Sequence, residues 1–254
     1  MCLVTRHRCI ELLDLASRHL GSQTRLKFVT GKAAKYRAID VVERVHAIDK
    51  LHCAHALING AKKLFIRTVD TDVVVIIIGV FHKLIEIQAT ADICVGFGTG
   101  KDYSYYHVNS ICAALGGDVS KALPAIHAFS GCDTTSAFSW KGKPKVWSTL
   151  EVFPEVTAAF EELLENPFQH FDNKSVIFKS IERFTILMYD KMSPLNSVNE
   201  MRKSLYCDTQ RAMDRLPPTE NALFQHLLRV VYQVGIWASS LQADPLIPSP
   251  ANFG

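Results

Sequence analysis

The sequence lacks paired cysteines. Its seven thiols, Cys2, Cys9, Cys53, Cys94, Cys112, Cys132 and Cys207, form no CxxC pair and make an odd total, which excludes the usual spacing of a structural zinc framework or a disulfide scaffold and points to reduced thiols. Long apolar runs are missing too. The longest, Val73 to Phe81, falls far short of the roughly 20 residues that cross a bilayer, so no membrane association is expected. Met1-Cys-Leu-Val4 is followed at once by Arg6, His7 and Arg8, the wrong order of charge and apolar residues for a secretory leader. Charge of one sign is also scarce: 28 Lys and Arg stand against 25 Asp and Glu, a net +3, which argues neither for nor against a nucleic-acid partner. No internal repeat or low-complexity tract interrupts the chain. These absences lead to the expectation of a soluble intracellular protein, nuclear or cytoplasmic.

What is present is enough apolar material for a core. With 254 residues, 48% of them hydrophobic, the chain can form one large domain or a domain with an appendage. Ile10, Leu13, Ala16 and Leu20 recur at helical spacing until Gly21, giving an N-terminal helix within 1–25. Leu26 to Gly31 reads as a short strand. Val41, Val45, Ile48, Leu51 and Leu57 predict a helix between Asp40 and Ile58 that carries His46, Asp49, His52 and His55. Lys63 to Thr68, around the apolar Leu64-Phe-Ile66, is a candidate buried strand, short and continuous as parallel-sheet strands are. Helix followed by strand is half of a crossover unit, so the class is α/β. Val73 to Phe81 is ambiguous on its own residues: its β-branched side chains favour a strand, yet a fully buried helix has the same pattern. Ile93 to Phe97 and Tyr103 to Val108, around Gly98-Thr-Gly-Lys-Asp102, predict a hairpin. Helices are expected over Asn109–Leu115 and Val119–Phe129, with Pro124 kinking or dividing the second. From Glu151 the pattern is helical, most clearly over Val156–Leu164 and Ile177–Met192. Leu216-Pro-Pro-Thr-Glu220 signals the entry to a last helix with Thr219 as its cap. The resulting division is 1–25, a core over 26–150, a helical region over 151–244 and an irregular tail over 245–254.

The candidate chemistry starts at Ile66-Arg-Thr-Val-Asp70-Thr-Asp72. A strand ending at Thr68 with both acids in the following turn would aim two carboxylates at one spot, and hard cations such as Mg2+ take oxygen ligands of this kind. The plainer alternative is that one of the acids only caps a helix. Further on, Gly131-Cys-Asp133-Thr-Thr-Ser136 precedes Lys141-Gly-Lys-Pro-Lys145, where Lys141, Gly142, Lys143 and Lys145 could approach a phosphate or simply form a solvated turn. Helical His46 and His52, and His127, are expected as packing or surface groups. Cys132, Trp147 and Trp237 are expected in the core.

A helix bearing Asp49, a strand end with Asp70-Thr-Asp72, and Gly131-Cys-Asp133 followed by Lys141-Gly-Lys143 occur in an order that resembles the 5′ nuclease branch of the PIN-like superfamily, typified by flap endonucleases. The runs Leu123-Pro-Ala-Ile-His-Ala-Phe-Ser-Gly-Cys-Asp-Thr-Thr-Ser-Ala-Phe138 and Leu216-Pro-Pro-Thr219 are similar to those of uncharacterised PIN-like proteins linked to mobile elements. The resemblance spans about Leu26 to Val146 and is looser beyond. It implies a three-layer α/β/α sandwich on a mainly parallel sheet, with Val73 to Phe81 helical, and a C-terminal helical region. It also implies an endo- or exonuclease acting on DNA or RNA, with Asp49, Asp70, Asp72 and Asp133 as catalytic ligands of Mg2+ or Mn2+. Lys141, Gly142, Lys143 and Lys145 would hold the nucleic-acid backbone.

The chain departs from that pattern in three places. His46 and Ala47 stand where E-E-A-D-T-R would supply carboxylates, Trp140 stands where a glycine is usual, and the segment before Leu26 reads as a helix in place of an opening strand with its own acid. The alternative to a working nuclease is therefore an inactive nucleic-acid- or protein-binding module derived from one. A third reading gives the Asp70 edge to another phosphoryl chemistry.

Overall fold

The computed structural model describes residues 37–39, 46–209, 212–239 and 246–253. The expected opening helix within 1–25, the strand Leu26 to Gly31, and residues 40–45 of the Asp40–Ile58 helix lie outside them. The elements in order are β1 (Arg37–Ile39), α1 (His46–Ile58), β2 (Lys63–Thr68), α2 (Thr71–Ile87), β3 (Asp92–Phe97), β4 (Ser104–His107), α3 (Val108–Leu115), α4 (Gly117–Ser130), α5 (Lys143–Leu150), α6 (Val156–Glu165), α7 (Val176–Tyr189), α8 (Val198–Thr209) and α9 (Glu220–Ser239). The class is α/β, as expected. Two compact units divide after Pro124, Met1–Pro124 with Ser239–Leu246 and Ala125–Ala238 with Ile247–Gly254; the division expected at 150 falls within the second.

The first unit holds a mixed sheet in the order β1-β2-β3-β4. β2 runs parallel to β1 and β3, and β4 returns antiparallel to β3 with Cys94 opposite His107 and Phe97 opposite Ser104, which is the expected hairpin. Side chains alternate across a strand, and burial follows. Leu64, Ile66, Ile93, Val95, Phe97 and Tyr106 are buried, whereas Lys63, Phe65, Arg67, Cys94, Tyr105 and His107 are half-buried or exposed. At the start of β3, Asp92 accepts from His107 Nε2 at 2.9 Å and faces Lys63 Nζ at 3.6 Å.

The ambiguous run Val73 to Phe81 belongs to helix α2. Asp72 through Val80 are all buried, so this stretch of the helix from Val73 on is apolar on every side, and packing overrides the strand preference of its β-branched residues. Gly79 has a steric reason within it: a Cβ there would lie 2.4 Å from Pro124 Cγ of α4. α4 is one helix through Pro124 and is not divided there. α2 also packs against α1 and α3, and α3 against β3.

The second unit is helical. Phe129 packs against Phe138, Phe160 and Phe184 at ring centroid distances of 4.9, 5.3 and 6.0 Å, and Trp147 and Trp237 are buried as expected. α9 begins as its sequence signal predicts, the Thr219 hydroxyl accepting from Ala222 N at 3.2 Å. Glu182, fully buried in α7, accepts from Val198 N at 2.9 Å and from Lys179 Nζ at 2.8 Å, tying the start of α8 to α7. Leu246 to Ser249 carry no regular structure, and Pro250–Asn252 makes a single 3-10 turn. Among the described residues, no helix is long and apolar enough to cross a membrane.

Candidate functional site

β2 carries the chain to Thr68, whose hydroxyl accepts from Asp70 N at 3.0 Å. Asp70 is extended, with φ −107° and ψ 124°, and its carboxylate accepts from Asp72 N at 2.9 Å. Asp70 is thus the N-cap of α2, as the plainer alternative held, and Asp72 is buried in the first helical turn. A carboxylate at a helix N-terminus is favoured by the helix dipole. Both acids lie at the C-terminal end of β2, where open α/β sheets place their ligand sites. Asp49 is placed by its backbone on α1, the helix packed against α2. Asp49, Asp70 and Asp72 belong to the first unit, while Asp133 and the three candidate lysines belong to the second. Among the described residues, neither unit brings together three His, Cys, Asp or Glu side chains able to hold a metal ion.

In the second unit, α4 ends at a tight loop. Gly131 has φ +104°, and a Cβ there would lie 2.7 Å from Ala137 Cβ, so the position requires glycine on both counts. The loop hydroxyls turn inward: Thr135 donates to Ala128 O at 2.6 Å and Thr134 to Gln233 Oε1 at 2.6 Å. Cys132 is half-buried against these two hydroxyls and is not a core residue. Asp133 is exposed. His127 is fully buried beside Trp237, and His52 is at the surface.

The lysines differ from the expected phosphate cluster. Lys143 is only 3% exposed, and its ammonium donates to Gly131 O at 2.8 Å, Ser130 Oγ at 2.9 Å and His127 O at 3.4 Å. It closes the C-terminal end of α4, where free carbonyls and the helix dipole favour a cation, and it presents no charge to a passing backbone. Lys141 lies over the Tyr189 ring at 4.8 Å. Lys145 is half-buried, and burial followed by the charge of Lys191 holds its pKa below the ordinary value. Gly142 caps α5 through its backbone, with φ −73° and Lys143 and Pro144 opening the helix. Trp140 has φ +59° and so takes a conformation that favours glycine. Its indole N–H donates to Asp214 at 3.0 Å, and the Arg215 guanidinium stacks over its ring at 5.2 Å.

One arrangement was not foreseen from the sequence. Ser136 Oγ lies 2.9 Å from His226 Nδ1, and His226 Nε2 lies 2.9 Å from Phe129 O. A carbonyl can only accept, so Nε2 carries the imidazole proton and Nδ1 accepts from the serine hydroxyl. His226 is held below its ordinary pKa, first by burial and also by Arg229, which keeps it neutral. The pair lines a cavity of about 350 Å³ together with Tyr189, Arg202, Arg229 and the Leu216-Pro217-Pro218 run. His226 and Arg229 share a helix face at a spacing of three, but no local signal links them to Ser136 or Arg202. No family model matches the chain, and no curated protein or solved structure matches it.

Proposed function

We propose that the protein is a metal-dependent phosphodiesterase of the PIN-like 5′ nuclease kind, acting on DNA or RNA, with Asp70 and Asp72 as the divalent-cation edge of its first unit. The observation that carries this is the pair of carboxylates at the N-cap and in the first turn of α2, just past the C-terminal end of a parallel strand, one of them buried. Carboxylate oxygens are the donors that Mg2+ and Mn2+ prefer, and Asp49 on α1 is the third candidate acid, in the same unit. When bound, such an ion lowers the pKa of its water and polarises a phosphoryl oxygen. The chain's own part is to hold the edge rigid: the Thr68 hydroxyl fixes the Asp70 amide, and Asp70 fixes the first turn that carries Asp72. The three-layer α/β/α sandwich belongs to the same proposal, and the edge stands on the first unit alone.

A second reading, an inactive binding module derived from such a nuclease, is favoured by His46 and Ala47 in place of carboxylates and by the burial of Lys143. Mn2+ titration followed by thermal unfolding tests the metal edge. A hundredfold excess over Kd raises stability by about 2.7 kcal/mol. Asp70→Asn preserves the cap, since Asn and Asp cap equally well, yet abolishes the Mn2+ response. A wild-type protein indifferent to Mn2+ overturns the proposal. Incubation with flapped, single-stranded and hairpin substrates then separates the two readings: cleavage supports the enzyme, and salt-dependent binding without cleavage supports the module.

A further inference from the structure

The cavity of the second unit lies outside everything assigned to the acidic edge, and two runs singled out in the sequence meet at it: Ser136 to Phe138 at the end of the Leu123–Phe138 run, and Leu216 to Pro218. We propose that this cavity binds a small organic anion carrying a hydroxyl group beside its phosphate or carboxylate.

The size is right, since ligand pockets begin at roughly 300 Å³ and this one encloses about 350 Å³. Its charge is cationic. Arg202 and Arg229 both line it, against one lining carboxylate among the described residues, Asp214, which already accepts from the Trp140 indole. Arg202 is fixed at the wall by donating to Pro217 O. Arg229 is half-buried and has no hydrogen-bond or ion-pair partner among the described residues. A partly desolvated guanidinium is most favourable with an anion across its planar fork, and a ligand anion can take the place that no described carboxylate takes.

The hydroxyl requirement follows from the serine. Ser136 directs its only proton into His226 Nδ1, so it faces the cavity with oxygen lone pairs and accepts a hydrogen bond. An anionic oxygen placed there would be repelled, and a ligand O–H is complementary. Because His226 Nε2–H is anchored on Phe129 O, the imidazole cannot turn to reverse that polarity. Phe138, Leu216 and Pro217 supply apolar wall for the carbon skeleton.

Tryptophan fluorescence offers the readout, since Trp140 is bonded to the cavity-lining Asp214. The whole protein is titrated with glycerol 3-phosphate, glycerate, propyl phosphate and inorganic phosphate, with calorimetry as the second measurement. The expected result is saturable binding of glycerol 3-phosphate or glycerate, whichever arm is tighter naming the anion, and weaker binding of propyl phosphate and inorganic phosphate. Arg229→Gln weakens the better ligand by at least about tenfold, and Arg229→Lys retains part of the affinity, which also covers the case in which the glutamine variant does not fold. Ser136→Ala lowers affinity for the hydroxylated ligand and leaves propyl phosphate unchanged. Absence of saturable binding by both hydroxylated anions, or binding indifferent to both Arg229 substitutions, overturns the proposal.

Discussion

Asp70 and Asp72 reach the end of β2 by the chain's own course, two residues apart, with the Asp70 carboxylate held by the Asp72 amide. The cavity of the second unit draws Ser136 from a loop, Arg202 from α8, and His226 and Arg229 from α9. The edge is therefore as rigid as one strand-to-helix turn, and most of its geometry survives any change that leaves that turn intact. The cavity depends on long-range hydrogen bonds, Ser136 to His226 and His226 to Phe129 O, so its shape and the stability of its unit are coupled. The second unit thus puts its cations to two different uses: Lys143 is buried to hold the fold, and Arg229 stands at a wall without a hydrogen-bond or ion-pair partner among the described residues.

The sharpest way to break that distinction is Lys143→Met. If Lys143 closes the end of α4, its loss leaves Gly131 O and Ser130 Oγ short of a donor, while His127 O keeps the Ser130 hydroxyl, and the unit loses about 3 kcal/mol. Urea unfolding measures it cleanly, because Trp140, Trp147 and Trp237 all lie in the second unit and report on it alone. Arg229→Gln, by contrast, should move the same curve very little. Equal effects would erase the difference drawn between the two cations.

The contrast also explains what could be read from residue order. α6, α7, α9 and the β3–β4 hairpin were legible because their signals are local: apolar spacing, the Thr219 cap, glycines at the turn. The Asp70 cap of α2 was legible for the same reason. α2 was not legible from periodicity, since a helix buried on all sides carries no amphipathic stripe. Lys143 was misread because a lysine beside glycine looks solvated, and only the end of α4, thirteen residues earlier, supplies acceptors that draw it inside. The cavity had no sequence signal, since Ser136 and His226 are 90 residues apart.

His226 sharpens the comparison through pH. Burial lowers its pKa from the ordinary 6.5, so as pH falls through that value the unfolded chain takes up a proton while the folded chain stays neutral. Stability from this group is fully present above 6.5 and declines as pH falls below it. His226→Leu should cost about 2 kcal/mol near pH 8, where Phe129 O loses its donor. The gap to wild type should narrow towards about pH 5, because the variant lacks the titrating group. A gap that widens on acidification would mean that the folded state protonates His226 more readily than the unfolded chain. The neutral hydrogen-bonded pair behind the cavity wall would then be wrong.

The smallest effect is expected at Trp140, where one residue has both strain and favourable contacts. Its φ of +59° costs a side chain on the order of 1 kcal/mol relative to glycine. The Arg215 stacking and the bond to Asp214 return about the same. Trp140→Ala removes the contacts and keeps the strain, so it should destabilise by about 1 kcal/mol. Trp140→Gly removes both and should be close to neutral. The alanine-to-glycine difference isolates the backbone term, and a value near zero would mean that the left-handed turn into α5 carries no strain. A difference near 1 kcal/mol would show that the loop retains a glycine conformation although tryptophan occupies it, held in place by the same Asp214 that lines the cavity.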